Sequence, residues 1–325
     1  MTTFRSLSWL IALFAILVLP PTTAQAQDWP QRAVKFIIPF GAGAGADIGA
    51  RLFSERLAAR WDKAVVVENR PGGDGLVAIS AFVGANDDHT LLFAASGSFT
   101  VHPYLHEKLP YNLERDLLPI ARVSNTIVAI AVPASANIAS LAQFVARARA
   151  EPGKLNAGLV PGITEFVWDG FVNGAGLSIA KVPYRDIVLA VTDLAEGRLQ
   201  IIMASYAILQ PQAQAGRIKV VAVNGRERVP FLPELPTVIE AGFPALELEG
   251  LVGLFGPRIM TRELREKIGA DVVAVAADPA IATRLARTAQ VLNPGGPAAF
   301  GAAIKAQTAQ VDAVAQAIGL KRKQQ

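Results

Sequence analysis

Short apolar runs alternate along the chain with longer stretches in which apolar residues recur at helical spacing. VKFIIPF (34–40), AVVVENR (64–70) and TLLFAAS (90–96) are brief and nearly continuous in apolar side chains, which predicts buried strands. Between them, DIGARLFSERLAAR (47–60) predicts an amphipathic helix with Asp47 as N-cap, and 76–85 an apolar helix. Strands joined by helices predict a mostly parallel sheet with helices on its faces. A second set follows: IVAIAV (127–132), a helix capped by Ser140 that stops at Pro152-Gly153, LNAGLV, and a helix from Glu165. IAKVPY (179–184), the helix DIVLAVTDLAEG, LQIIMAS, a short helix and KVVAVN (219–224) complete it. LELEGLVGLFG (246–256) reads as a strand returning to the first set, and three helical stretches finish the chain. The expected class is α/β with two lobes and a cleft between them. Residues 27–126 plus 250–325 make lobe 1 and residues 127–249 make lobe 2, with crossings near 127 and 250.

The first 26 residues follow a different pattern. Arg5 is the only charge, an apolar run extends from Trp9 to Leu19, and Ala24-Gln25-Ala26 is an A-x-A cleavage pattern. That run is shorter than the ~20 residues a membrane span requires. The reading is a cleavable secretory signal, cut after Ala26, on a soluble protein of the periplasm.

Composition narrows the chemistry further. Of 325 residues, 52% are hydrophobic and 18% charged, enough for a large core. Cysteine is absent, which removes disulfides, thiolate metal sites, thiol catalysis and a lipidated anchor. Three histidines leave little material for a catalytic triad. His102 and His106 have i,i+4 spacing, but Pro103 argues against a regular helix there, so they read as surface or capping residues and no metal site is expected. A net charge of +4, with Lys and Arg scattered except for the final KRK, does not suggest nucleic acid binding.

In open α/β sheets, ligands bind beyond the carboxyl ends of strands. Three such segments in the first lobe are built of small residues: 41–46, 71–75 and 96–98. Gly41, Gly43 and Gly45 allow close backbone approach, and the helix N-termini behind the loops favour an anion. The same Gly41–Ala46 stretch satisfies G-x-G-x-x-A, with Glu68 about 20 residues on, so an NAD(P)-dependent oxidoreductase is an alternative on pattern. Pro39-Phe40 before the first glycine and the export signal both weaken it.

A set of motifs then appears in order: WPQRAVKFIIPFGAGAGADIGARL, VVVENRPGGDG, LPYNLERDLLPIARV, KVPYRD, TDLAEGRLQIIM, AGRIKVVAV, LPELPTVIEAGFP and GLFGP. Together they resemble the periplasmic solute receptors of tripartite tricarboxylate transporters, also called Bug receptors, over essentially the whole mature chain. The resemblance implies a type II periplasmic binding protein fold. It implies a non-catalytic, cofactor-free receptor that closes on a small organic acid or amino-acid-like solute, held largely by backbone N–H groups and water. It further implies delivery to a membrane permease; a partner of a membrane sensor kinase would look the same in sequence. A monomer is expected.

The family's first loop, P-F-x-P-G-G-x-x-D, falls on Pro39 to Asp47, with Ala42 and Ala44 replacing its proline and second glycine. In the family's N-R-P-G-A-G-G segment, Asp74 follows Gly73 in place of a glycine. Ser96 and Ser98 either donate hydroxyls to a ligand or cap a helix. In lobe 2 the family's G-x-G-S/T-x-x-H loop becomes Val160-Pro161-Gly162-Ile163-Thr164-Glu165: its histidine is gone, while Thr164 still offers a cap and a hydroxyl. V-P-Y-K-G becomes Val182-Pro183-Tyr184-Arg185-Asp186. Tyr184 is expected to pack on a ligand and donate its hydroxyl. Arg185 pairs with a carboxylate or stays a rim charge, and Asp186 caps the next helix. Glu165 or Asp186 is the candidate contact for a ligand ammonium or amide. Ser205 and Tyr206 are candidate wall residues, Trp168 is core, and the terminal KRKQQ reads as a solvated tail.

Overall fold

The computed structural model describes residues 29–323, so the export signal read in 1–26 lies outside the described residues. The chain divides into two units at Gln31/Arg32, and the unit from Arg32 onward carries both sheets. Its elements begin with β1 (Val34–Ile38), α1 (Gly45–Trp61), β2 (Val65–Asn69), α2 (Leu76–Ala85), β3 (Thr90–Ala95), α3 (Ser96–Leu105), α4 (Leu113–Asp116) and β4 (Leu118–Thr126). Next come β5 (Val128–Pro133), α5 (Leu141–Ala150), β6 (Asn156–Leu159), α6 (Ile163–Gly174), β7 (Ala180–Pro183), α7 (Ile187–Ala195), β8 (Ile201–Ser205), α8 (Tyr206–Gln214) and β9 (Ile218–Val223). The chain ends with β10 (Gly250–Gly256), α9 (Arg262–Ala276), α10 (Pro279–Ala286), β11 (Gln290–Gly295) and α11 (Pro297–Ala317).

One sheet has the order β11-β4-β10-β3-β1-β2 and the other β7-β6-β8-β5-β9. The chain passes between them from Thr126 to Val128 and again between Val223 and Gly250. The sheets are mixed rather than mostly parallel. β1 runs parallel to β2 and β3, and β6 to β7 and β8, whereas β10 and β5 are antiparallel to their neighbours. The reason is that the crossing strands enter each sheet in the opposite sense to the strands fed by helices.

Continuous apolar runs form strands here because both faces of a sheet are covered. In β5, Val128, Ile130 and Val132 pack into one cluster with Phe144, Trp168 and Met203, while Ala129 and Ala131 face a second with Leu194 and Leu209. Trp168 is core, as read from sequence. β4 and β11 carried no strand signal because their polar side chains satisfy each other. Arg122 donates to the Asn293 carbonyl at 2.8 Å and to its Oδ1 at 2.7 Å, and Ser124 Oγ donates to Gln290 Oε1 at 2.8 Å.

Two other expectations change at α3 and the C-terminus. Pro103 does not prevent the helix: α3 includes it in its last turn and buries His102 completely. The basic tail is docked rather than solvated. Arg322 Nη2 reaches both Asp312 oxygens at 2.8 Å, Tyr104 Oη donates to Asp312 at 2.5 Å, and the Lys323 N–H donates to the Pro103 carbonyl at 2.8 Å.

β10 lies between β3 and β4 and passes beneath α11. A Cβ at Gly253 would stand 2.4 Å from the Ala121 carbonyl oxygen and 2.5 Å from the Phe300 ring, so only glycine fits. Gly253→Ala is expected to destabilise the protein by roughly 1–3 kcal/mol, as overpacking does. Thermal unfolding of the two proteins side by side measures the loss.

Candidate ligand-binding site

In the six-stranded sheet, three segments leave the parallel strands β1, β2 and β3 at one end, and the first two approach each other at Pro39 and Gly75. The first, 39–44, precedes α1. The helix begins at Gly45 with Ala44 in the N-cap position, so Asp47 is not the N-cap but sits in the first turn. Its buried carboxylate reaches back to accept the Gly43 N–H at 2.8 Å, and it also accepts from Arg51 Nε at 3.1 Å and Asn69 Nδ2 at 2.9 Å. Asn69 Nδ2 is shared with the Phe40 carbonyl at 2.9 Å. Burial pushes the Asp47 carboxyl upward, but these hydrogen bonds and the Arg51 charge outweigh it and hold the group below its usual range. Asp47 thus ties the loop shut. Gly41, Ala42 and Gly43 are exposed, and Ala44 and Gly45 half-buried.

The second loop takes an unusual backbone path. Gly72, Gly73, Asp74 and Gly75 have φ of +120°, +57°, +54° and +89°, a run that L side chains resist and that the three glycines make accessible. Successive N–H groups in such turns form anion-binding concavities. Asp74 is a residue type that tolerates this region. Its carboxylate lies 3.1 Å from His102 Nε2.

The third loop overturns part of the expectation. Ser96 is fully buried and donates to Gln307 Oε1 at 2.5 Å, so its hydroxyl is committed to the fold. Gln307 Nε2 in turn donates to the Glu249 carbonyl at 2.8 Å. Neither serine caps α3, whose N-cap is Ala95. Ser98 is half-buried and makes no hydrogen bond through its hydroxyl among the described residues.

In lobe 2 the loops after β6, β7 and β8 share one sheet end. Gly162, at φ +140°, is the N-cap of α6, which leaves Thr164 inside the first turn rather than capping it. Glu165 is held by Lys181 Nζ at 2.9 Å, with Asp169 on the same ammonium at 2.8 Å. Burial lowers the Lys181 pKa, but the two carboxylates outweigh it and raise it. Tyr184 donates its hydroxyl to Asp193 at 2.5 Å, and burial together with that carboxylate pushes its pKa up to about 12. Only the ring remains for a ligand. Asp186 Oδ1 accepts the Val188 N–H at 2.9 Å, the capping role read from sequence. Arg185 is exposed and has no ionic partner among the described residues. Ser205 precedes α8 without a capping bond, and the Tyr206 N–H donates to the Ile127 carbonyl at 2.8 Å, next to the crossing.

The two sets of loops meet at Gly97. A Cβ there would stand 3.0 Å from Ile163 Cγ2, so the starts of α3 and α6 are in van der Waals contact. A cavity of about 410 Å³ lies beside the crossings, lined by Asn125–Val128, Gly225–Pro230, Leu248–Gly250 and Val291–Asn293. None of the loop residues named from sequence lines it. Sequence reading also missed Asn69, Gln290 and Gln307, which brace the loops. Gln290 Nε2 donates to the Gly45 carbonyl at 2.7 Å. Asn69 was visible inside the N-R-P-G segment; the glutamines carried no local signal.

The model of the tripartite tricarboxylate transporter family receptor matches residues 49–320. The chain belongs to that receptor family. A UPF0065 protein of Bordetella bronchiseptica is 32% identical over 270 residues, covering 83% of this chain and 80% of that protein. Among solved structures, a periplasmic transporter aligns with a TM-score of 0.78 at 27% identity, covering 90% of this chain and 99% of the other. An R. palustris structure with adipate aligns with a TM-score of 0.77 at 27% identity over the same shares. The family is one of solute receptors, not enzymes. The oxidoreductase reading of Gly41–Ala46 falls with it. In this receptor Glu68 is engaged instead by Lys35, at 2.9 Å, and by Arg70. No helix among the described residues is long and apolar enough to cross a membrane.

Because the folded-state pKa of Asp47 is depressed, its contribution is present above the unfolded carboxyl value of 3.8 and is lost as pH falls through the folded value. Asp47→Asn should therefore lower the melting temperature at neutral pH, with the gap to the wild type closing below about pH 4. Melting curves across that range check it.

Proposed function

We propose that this receptor works in the periplasm, exported by its N-terminal signal, and captures a small carboxylate-bearing solute by closing two lobes on it. Lobe 1 is residues 27–126 with 250–325 and lobe 2 is residues 127–249, and the crossings at 126–128 and 223–250 act as the hinge. Cargo passes to the membrane permease of a tripartite transporter. The observation that carries the reading is the family match over 49–320, joined to the likeness at 27% identity to a structure with adipate.

The loops supply the chemistry. The first-turn N–H groups of α1, α3 and α6 have no intrahelical acceptor and carry partial positive charge. The glycine turn at 72–75 adds further backbone donors. Arg185 brings the free guanidinium on the lobe 2 side and pairs with a carboxylate in the bidentate manner. Gly41 to Gly45, Gly73 and Gly162 act through their backbone, and Ser98, Thr164 and Ser205 supply hydroxyls. Asp47, Ser96, Glu165, Tyr184 and Asp186 shape the loops through their internal bonds.

Ligand bridging both lobes favours the closed state only by its differential affinity for it. Adipate is the first probe, followed by shorter dicarboxylates and acidic amino acids. At least one of these is expected to raise the melting temperature and to give saturable heat in calorimetry. A flat response to every carboxylate would overturn the proposal. Arg185→Ala should weaken the binding of that acid about tenfold or more, as loss of a charged hydrogen bond does. Gly97→Val, which forces Ile163 away, should retain its fold by circular dichroism yet lose most of the ligand-induced shift.

A further inference from the structure

We propose that Asp74, His102 and His106 form a binding site for a divalent transition metal of the zinc type, at the junction of the 72–75 turn and the end of α3. One ring nitrogen of each imidazole and a carboxylate oxygen of Asp74 lie within 4.8 Å of one another. The two rings are nearly perpendicular, at 87° with centroids 5.1 Å apart, so the imidazoles do not stack. Two imidazoles and one carboxylate are a donor set suited to zinc, cobalt, nickel or copper, not to calcium or magnesium. Three protein ligands leave coordination positions for water.

Two observations point beyond coincidence. His106 Nε2 is buried and has no hydrogen-bond partner among the described residues. His102 Nδ1 lies 2.7 Å from Tyr111 Oη, the kind of outer partner that fixes the orientation of a ligating imidazole. Without metal, His102 Nε2 contacts the Asp74 carbonyl at 3.0 Å and its carboxylate at 3.1 Å. A metal on His102 Nε2 would require Nδ1 to carry the ring proton, with Tyr111 Oη placed to accept it. Asp74 keeps about a third of its side chain exposed, which leaves an entry path. Lys323 adds a positive charge near His106, and its Nζ donates to the Leu105 carbonyl at 3.2 Å.

The test uses tag-free protein freed of metal with EDTA and titrated with Co2+ near neutral pH. One equivalent should develop ligand-field absorption that Zn2+ bleaches, and calorimetry with Zn2+ should give the same stoichiometry. Asp74→Gly and His106→Gln should abolish both signals, while Tyr111→Phe weakens binding roughly 10–100-fold. Asp74→Gly carries the test even if His106→Gln misfolds, because glycine adopts the φ of +54° there without strain. Asp88→Asn, at the separate Asp87-Asp88-His89 cluster, should bind as the wild type does. Absence of binding by the wild type would overturn the site, as would binding that survives Asp74→Gly. Binding lost in Asp88→Asn would overturn it too. Each of these outcomes is independent of whether the receptor takes a carboxylate.

Discussion

Two buried glutamine amides hold the loops of the candidate site to the strands that lead across the molecule. Gln307 takes the Ser96 hydroxyl on its oxygen and gives its N–H to the Glu249 carbonyl, one residue before β10. Gln290 takes the Ser124 hydroxyl, on β4, and gives its N–H to the Gly45 carbonyl. An amide is suited to this because it accepts and donates at once, and a buried polar group left without a partner is costly. Each loop is therefore tied through a glutamine to a segment next to a crossing. Loops positioned by rigid elements keep their N–H groups aimed at one place, which a main-chain anion site requires.

The same economy of polar groups explains which side chains remain for a solute. Hydroxyls and carboxylates that look like ligand contacts in the sequence are mostly engaged within the fold. Ser96 answers Gln307, Tyr184 answers Asp193, Glu165 answers Lys181, and Asp47 closes its own loop. Backbone amides and the Arg185 guanidinium are left. In the proposed site, selectivity would depend on loop shape more than on a set of polar side chains, and the four successive positive φ values at 72–75 shape one such loop.

The strands and helices legible in the sequence are those whose two faces meet apolar neighbours, so that the pattern is written locally. β5 and β8 are examples. What escaped was decided by distant partners. β4 carries Arg122 and Ser124, polar residues whose partners Asn293 and Gln290 lie far along the chain. α3 looked broken at Pro103, yet in a last turn the missing N–H costs one bond only, and the docked Lys323 backbone takes the Pro103 carbonyl. The glycine turn at 72–75 was readable because its positive φ values favour glycine. The commitments of Ser96 and Tyr184 were not, since a hydroxyl looks the same whether or not its partner has arrived from elsewhere in the chain.

Gly97 and Ile163 touch at the start of α3 and α6, with no room for even a methyl group at full comfort. In the closure proposed above, such a contact would act as a mechanical stop. It would set the smallest gap between the two sets of loops, and so the length of cargo that fills the remaining space. Trimming or enlarging Ile163 would reset that gauge while leaving every anion-holding amide untouched, which makes it a handle for retuning solute size apart from solute charge.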